Sequence, residues 1–160
     1  IVKNLSTLSE KAQRTVNIED MYIRMPLAPG SIPPWEIEKP LINGNIKETI
    51  EIYRRIVQHS HHLVVLSILK NKIMLAYRIG AVMERDPYVR SNVLAKALNV
   101  ADNYPFKLAI NLYKKIGFNK TESILFDLLK TESLLKGGSS ADNTVLMELF
   151  LVKTCLKLSK

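Results

Sequence analysis

The sequence predicts an all-α protein built as a helical bundle. Apolar residues recur at intervals of three and four positions along most of the chain, which is the helical period. The period-two alternation that marks strands is almost absent. Pro87, Pro105 and Gly117 lie where the periodic segments begin or end, as expected for helix boundaries. The chain has 160 residues, 47% of them hydrophobic and 24% charged, so it is large enough to bury a core.

The N-terminal part predicts a separate small unit. Residues 1–25 contain two short helical pieces, Ile1–Gln13 and Asn17–Met25, and Asn17 is a plausible cap for the second. Residues 26–34 read PLAPGSIPP and break the helical period, so we expect a hinge there. The helical domain is then expected over residues 35–160. Because the chain starts at Ile1 with neither an initiator Met nor a signal-peptide pattern, we expect it to be a piece of a longer protein.

The first helices of the bundle follow from their apolar stripes. One stripe predicts a helix over about 46–57, and a second predicts a helix from about His61 to Glu84. A third element begins near Pro87, and a fourth opens at Pro105 and is capped by Gly117. The stripes of the first two helices are Ile46, Ile50, Tyr53 and Val57, and Leu66, Leu69, Ile73 and Tyr77.

Two more helices complete the predicted bundle. Asn119 or Thr121 is expected to cap the fifth, and the last is expected from Asp142 or Asn143 to Leu158. The last helix has one apolar side and further apolar residues around it, so we expect it in the middle of the bundle. Its apolar side consists of Val145, Leu149, Val152 and Leu156.

The charge and the cysteine content indicate which partners and which cellular compartment to expect. The net charge is +8, from 23 basic and 15 acidic residues, which suits an acidic partner such as nucleic acid. The basic residues look scattered, so ordinary solvated faces are the alternative. The single Cys155 lies in an apolar helical pattern and predicts a buried thiol in a reducing compartment, with the cytoplasm as the expected location. No uninterrupted apolar run is long enough for a membrane span.

Residues 134–151, LLKGGSSADNTVLMELFL, allow two interpretations. Glycines beside a lysine and hydroxyls could cradle a phosphate, but a P-loop places its lysine after the glycines and a strand before them. Here Lys136 precedes Gly137 and Gly138, and a helical pattern precedes Lys136. We therefore expect Lys136, Gly137 and Gly138 to form an interhelical turn, with Ser140 or Asp142 capping the next helix.

Other candidate sites are weak. All three histidines lie in Gln58-His59-Ser60-His61-His62, but no second group of ligand residues supports a metal site, so a surface turn is preferred over a metal protein. No nucleophile motif or acid/base pair of carboxylates is present, so we expect no enzyme, and we expect no cofactor. Trp35 is either a partner anchor or packs the hinge onto the bundle.

Several segments resemble the C-terminal, collar region of the delta subunit of the DNA polymerase III clamp loader. They are LINGNIKETIEIYRRIV at 41–57, HHLVVLSILKNKIMLAYRIGAV at 61–82, and most of 91–155. The points of correspondence in the last segment are Pro105-Phe106, the Gly117-Phe118-Asn119 turn and the Leu135-Lys136-Gly137-Gly138 turn. Residues 5–21 resemble the last two helices of that family's ATPase-like lid domain, so the resemblance implies a lid remnant at 1–25.

The resemblance implies an assembly function in DNA replication. In the family, helical collar domains of five subunits pack side by side, the delta subunit hydrolyses no ATP, and its N-terminal domain opens the sliding clamp. It therefore implies partners among the gamma/tau and delta-prime subunits, contact with the clamp only through a domain outside this chain, and DNA as part of the complex. Lys114 and Lys115 are candidates to face that DNA. The alternative is a stand-alone basic helical module that binds nucleic acid in a replication or primase accessory protein.

Overall fold

The computed structural model of the protein describes residues 30–138 and 140–159. The described chain contains six α-helices and no β-strand, which confirms the all-α prediction. A 3₁₀ helix, Pro34–Ile37, leads directly into the first of them. The helices are α1 (Glu38–Ile42), α2 (Ile46–Ile56), α3 (His62–Met83), α4 (Ser91–Ala97), α5 (Tyr104–Ser133) and α6 (Asn143–Leu158). The two N-terminal helices predicted within 1–25, and residues 26–29 of the predicted hinge, lie outside the described residues.

Polar side chains just before α2, α3 and α5 explain where these three helices begin. The side chain of Asn45 accepts a hydrogen bond from the Glu48 amide at 3.2 Å and donates to the Glu48 carboxylate at 2.8 Å. Asn103 accepts from the Phe106 amide at 3.1 Å, and His61 Nδ1 accepts from the Leu63 amide at 3.2 Å. Each contact satisfies an amide that the first turn of a helix leaves without an intrahelical partner.

The long helix α3 is the centre of the bundle, and α5 packs along it. The main core joins α3 to residues of α1, α2, α5 and α6, among them Tyr53, Leu66, Leu128 and Leu151. The two long helices approach closely at Gly80, where a Cβ would lie 2.8 Å from ring carbons of both Tyr113 and Phe118. A larger residue would force these rings apart.

The long element α5 is broken at Gly117. The sequence predicts that a helix ends there and that Asn119 or Thr121 caps the next one. Gly117 has non-helical backbone with a φ of 77° and a ψ of 171°, so one helix does end there, and a second helix follows at once and runs to Ser133 without either predicted cap. Thr121 is inside that helix, where its hydroxyl donates to the Gly117 carbonyl at 2.8 Å. The ring of Phe118 stacks on Tyr77 of α3, with centroids 5.1 Å apart, so tertiary packing rather than a cap holds the restart.

A second, smaller core lies at one end of the bundle. The end of α3, helix α4 and the first turns of α5 meet there, through Ile79, Met83, Leu94, Ala95, Leu98, Phe106 and Ala109. Arg78 on α3 donates from Nη2 to the carbonyl of Leu98 at 2.7 Å and fixes the turn that follows α4. Among the described residues, no helix is both long enough and apolar enough to cross a membrane.

Candidate interaction surface

The helix α6 has two apolar sides, and only one of them faces the core. Its inner side is fully buried and includes Met147, Leu151 and Cys155. The opposite side consists of Val145, Leu149, Val152 and Leu156, which we call the α6 outer stripe. Val145, Leu149 and Leu156 are 51%, 54% and 49% exposed, and Val152 is partly buried. The prediction that α6 lies in the middle of the bundle is therefore wrong, because its neighbours cover one side only.

Polar contacts on both flanks hold α6 in this orientation. Arg54 of α2 donates from Nε and Nη2 to the two carboxylate oxygens of Glu148, at 2.7 and 3.1 Å. On the other flank, Lys157 donates to Asp127 Oδ2 at 2.7 Å and to Ser123 Oγ at 2.6 Å, both on α5. A two-bond arginine–carboxylate pair fixes direction as well as distance. The α6 outer stripe is thus presented to solvent by a helix that is bonded to both of its neighbours.

The helix α5, which packs against α6, also carries exposed apolar side chains. Phe126 is 69% exposed, and Leu129 is also exposed. Phe126 directly precedes Asp127, which contacts α6 through Lys157. Neither residue is predicted as a site from the sequence. Phe126 lies between the buried Leu125 and Leu128, and Leu129 directly follows Leu128, so both lie outside the core-facing positions of the helix. Exposed apolar groups on two neighbouring helices are typical of a surface that a partner covers.

The residues of the predicted interhelical turn lie between α5 and α6. Leu134–Gly138 form a wide π-helical turn in which Gly137 has a φ of 110°. Lys136 donates to Glu132 at 2.7 Å, so its ammonium group is engaged within the helix end. Asp142 caps α6 by accepting from the amides of Thr144 and Val145 at 2.7 and 3.2 Å. These contacts are those of a structural turn.

The two lysines predicted to face nucleic acid differ in their surroundings. Lys115 donates to the carbonyl of Ile42 at 2.7 Å, at the C-terminal end of α1, where a cation suits the negative end of the helix. Lys114 is exposed and has no hydrogen-bond or ion-pair partner within residues 30–138 and 140–159. The structure brings them to adjacent positions on α5, but only Lys114 has an uncommitted ammonium group.

The histidine segment forms the turn between α2 and α3. His61 caps α3, and His62 Nδ1 lies 2.7 Å from the hydroxyl of the buried Tyr53. Burial lowers the pKa of His62, and the neighbouring His61 adds to this effect. The described part of the chain contains no group of three or more His, Cys, Asp or Glu side chains arranged to hold a metal ion.

Cys155 and Trp35 complete the predicted candidates. Cys155 is buried, as predicted, and its thiol lies 3.5 Å from the Thr49 hydroxyl. Burial raises the pKa of this thiol, which disfavours the reactive thiolate. Trp35 belongs to the 3₁₀ helix, in which Pro34 and Ile37 are buried, and is itself 39% exposed.

Comparison with known proteins gives one family. The family model for the C-terminal domain of the DNA polymerase III delta subunit matches residues 35–154, which include α1 to α5 and most of α6. No curated protein and no solved structure is significantly similar to the chain.

Proposed function

We propose an assembly role for this chain, which belongs to the family of C-terminal domains of the DNA polymerase III delta subunit. The family is a component of the replication clamp loader. The chain acts there as a non-catalytic module that joins its neighbours into the complex that loads the sliding clamp onto DNA. Its partners are the helical domains of the cognate gamma/tau and delta-prime subunits.

The observation that carries this proposal is the α6 outer stripe. Three of its four side chains are about half exposed, although they are apolar and lie on a helix whose other side already fills the core. Burying them against a second helix would stabilise the complex by about 25 cal/mol for each Å² of apolar surface removed from water. A stripe at intervals of four, three and four residues is the spacing that one helix presents to another.

The surroundings of the stripe also suit a protein partner. Three charged groups near it, Arg54, Glu148 and Lys157, lie on the flanks of α6 and are already paired within the domain, and the exposed Lys153 directly follows Val152. An apolar centre with charged residues at its edge is the usual composition of a protein–protein interface. Because Arg54, Glu148 and Lys157 need no new partner, covering the stripe leaves none of these three charges buried and unpaired.

Native mass spectrometry of the chain mixed with the cognate gamma and delta-prime subunits tests the proposal. We expect a complex that contains one copy of the chain, and we expect it to persist at high salt because apolar burial carries it. Mixtures in which the chain stays monomeric at every concentration would contradict the assembly role. A homodimer that excludes the other subunits would also contradict it.

A further inference from the structure

The basic residues are concentrated in one segment. Residues 87–120 contain six basic side chains and one acidic one, Asp102. This segment therefore carries +5 of the net charge of +8, although it is about a fifth of the chain. Its basic residues are Arg90, Lys96, Lys107, Lys114, Lys115 and Lys120. The sequence interpretation of scattered charge misses this concentration, because apolar core positions separate the basic residues along the segment.

The same segment folds as two helices joined by a fixed turn. Helix α4 ends at Ala97, and α5 begins at Tyr104. Asn99 in the turn has a φ of 54°, and it is the one non-glycine residue with a positive φ among those described. Both helices are anchored in the smaller core by residues of α3 and by each other. The major groove of DNA is wide enough to admit one α-helix, so an exposed helix face can contact it.

The outer face of the first half of α5 has a regular composition. Tyr104, Lys107, Asn111 and Lys114 recur at intervals of three and four residues, are all exposed, and lie opposite the buried Phe106, Ala109 and Leu112. We call these four residues the α5 basic stripe. Residues 104–116 contain no Asp or Glu. Neither Lys107 nor Lys114 forms an ion pair with another residue that the structure describes.

The dimensions and chemistry of this stripe suit a nucleic acid. Seven residues separate Lys107 from Lys114, which is a rise of about 10 Å along a helix and close to the ≈ 12 Å width of the major groove. Lysines at that separation reach different phosphates. The amide of Asn111 can hydrogen bond to a base edge or a phosphate, and the 73% exposed ring of Tyr104 can stack on a base.

A protein partner fits this face less well. The centres of protein interfaces are depleted in lysine and enriched in apolar groups, and the α5 basic stripe carries no aliphatic side chain. The one carboxylate of the segment, on Asp102, already accepts a hydrogen bond from the Ser91 hydroxyl at 2.8 Å. The face therefore offers uncommitted cations without the apolar centre that the α6 outer stripe supplies elsewhere.

We propose that the α5 basic stripe binds the phosphate backbone of DNA, through Lys107 and Lys114, with Asn111 and Tyr104 in reach of the bases. This site is separate from the α6 outer stripe and does not depend on the assembly role. It also replaces the pair Lys114 and Lys115, expected from the sequence, by Lys107 and Lys114, because Lys115 is engaged with the Ile42 carbonyl.

Fluorescence anisotropy with the full chain and a short labelled duplex tests the proposal. The test variant is the double substitution Lys107→Gln and Lys114→Gln, and the matched control is Lys47→Gln with Lys130→Gln. Lys47 and Lys130 are exposed on α2 and the second half of α5, so both variants lose the same charge. Titrations repeated from about 50 to 200 mM salt give the number of phosphates neutralised.

We expect the test variant to bind the duplex about tenfold more weakly or worse at the lowest salt, and to lower the magnitude of the log–log salt slope by about 1.8, at 0.9 for each phosphate. The control should change both quantities much less. Equal losses in the two variants, or no binding by the unmodified chain at low salt, would overturn the proposal. Displacement of the duplex by poly-glutamate at equal charge would also overturn it, since the face would then recognise acidic chains in general.

A single-stranded probe of the same sequence separates the two forms of DNA. If the ring of Tyr104 stacks on an unpaired base, Tyr104→Ala should weaken binding to the single strand more than to the duplex. If the substitution weakens both probes equally, the phenol contacts the backbone. In either case the loss in the double lysine variant decides whether the stripe binds DNA.

Discussion

Lys136 donates a hydrogen bond to one carboxylate oxygen of Glu132 at 2.7 Å, one helical turn before it in the chain. The other oxygen of Glu132 accepts from Lys70 of α3, also at 2.7 Å. The lysine before the Gly-Gly pair thus helps to close the end of α5, and the same carboxylate ties that end to α3. Hydrogen bonds from Lys136 and then Lys70 lower the pKa of Glu132.

Glu132→Gln should destabilise the fold at neutral pH, because it removes the charge that pairs with Lys136 and Lys70. The loss should be only about 1 kcal/mol, since these pairs are partly exposed and screened by solvent. A carboxylate with a lowered pKa contributes stability above its unfolded pKa, and this contribution is lost as the pH falls through the folded pKa. The difference between the two proteins should therefore be present at pH 7 and disappear in acid. Urea unfolding at both pH values measures it.

Glu122→Gln is the control for this prediction. Glu122 is exposed on the same helix and forms no ion pair within the described residues. Its substitution should change the free energy of unfolding by a few tenths of a kcal/mol at either pH. If Glu132→Gln were as mild as Glu122→Gln at pH 7, the bridging role of Glu132 would be refuted.

His62 should make stability depend on pH near neutrality. Burial lowers its pKa from the usual value of 6.5, so the folded protein favours the neutral ring, whose Nδ1 lies 2.7 Å from the Tyr53 hydroxyl and can accept from it. The unfolded chain then takes up a proton at a higher pH than the folded one. The contribution of His62 to the free energy of unfolding should be fully present above pH 6.5, and it should be lost as the pH falls through 6.5 toward the lower pKa of the folded protein.

His62→Asn separates this effect from other titrations. The amide oxygen can accept from Tyr53 in place of Nδ1, but it does not titrate. Thermal unfolding of the variant should therefore lose the decline just below pH 6.5 that the unmodified protein shows. An unchanged pH profile in the variant would mean that another group causes the decline.

Thr154→Val should stabilise the protein by about 1 kcal/mol. The Thr154 hydroxyl is buried and is the one buried side-chain polar atom without a hydrogen-bond partner in the described structure. Replacing it with a methyl group of similar shape removes the cost of a desolvated hydroxyl. Chemical denaturation measures the change in the free energy of unfolding.

Thr49→Val is the matched comparison, since Thr49 is equally buried on α2. Its hydroxyl donates to the Asn45 carbonyl at 2.7 Å and lies 3.5 Å from the Cys155 thiol. This substitution breaks satisfied contacts and should destabilise the protein by about 1–2 kcal/mol. The same sign for both substitutions would show that the two hydroxyls are not distinguished by their hydrogen bonds.

The sequence predicts the helices whose signals are local. α2 and α3 begin and end within two residues of the prediction, and Asp142 caps α6 as one of the two proposed residues. The end of a helix at Gly117 is also predicted, but the start of the next one is not. That helix restarts at Phe118, whose ring stacks on Tyr77 of the distant helix α3, and not at the predicted caps Asn119 or Thr121.

The candidate sites depend still more on tertiary structure. Periodicity identifies the α6 outer stripe, but the inner side of the same helix is also apolar, and the pattern alone does not say which side the bundle covers. In α5 the predicted Lys114 lies on the same exposed face as Lys107, two helical turns away, and the sequence interpretation omits Lys107. Lys115 is adjacent in sequence, yet it contacts Ile42 instead.

The most direct test of the central claim is the assembly of two matched variants with the cognate gamma and delta-prime subunits. Val145→Glu places a charge on the α6 outer stripe, and Val93→Glu places the same charge on α4. The two valines occupy the third position of their helices and are 51% and 52% exposed. Native mass spectrometry should show that Val93→Glu assembles like the unmodified chain, whereas Val145→Glu loses most of the complex. Equal assembly by both variants would contradict the claim that the α6 outer stripe joins this domain to its neighbours.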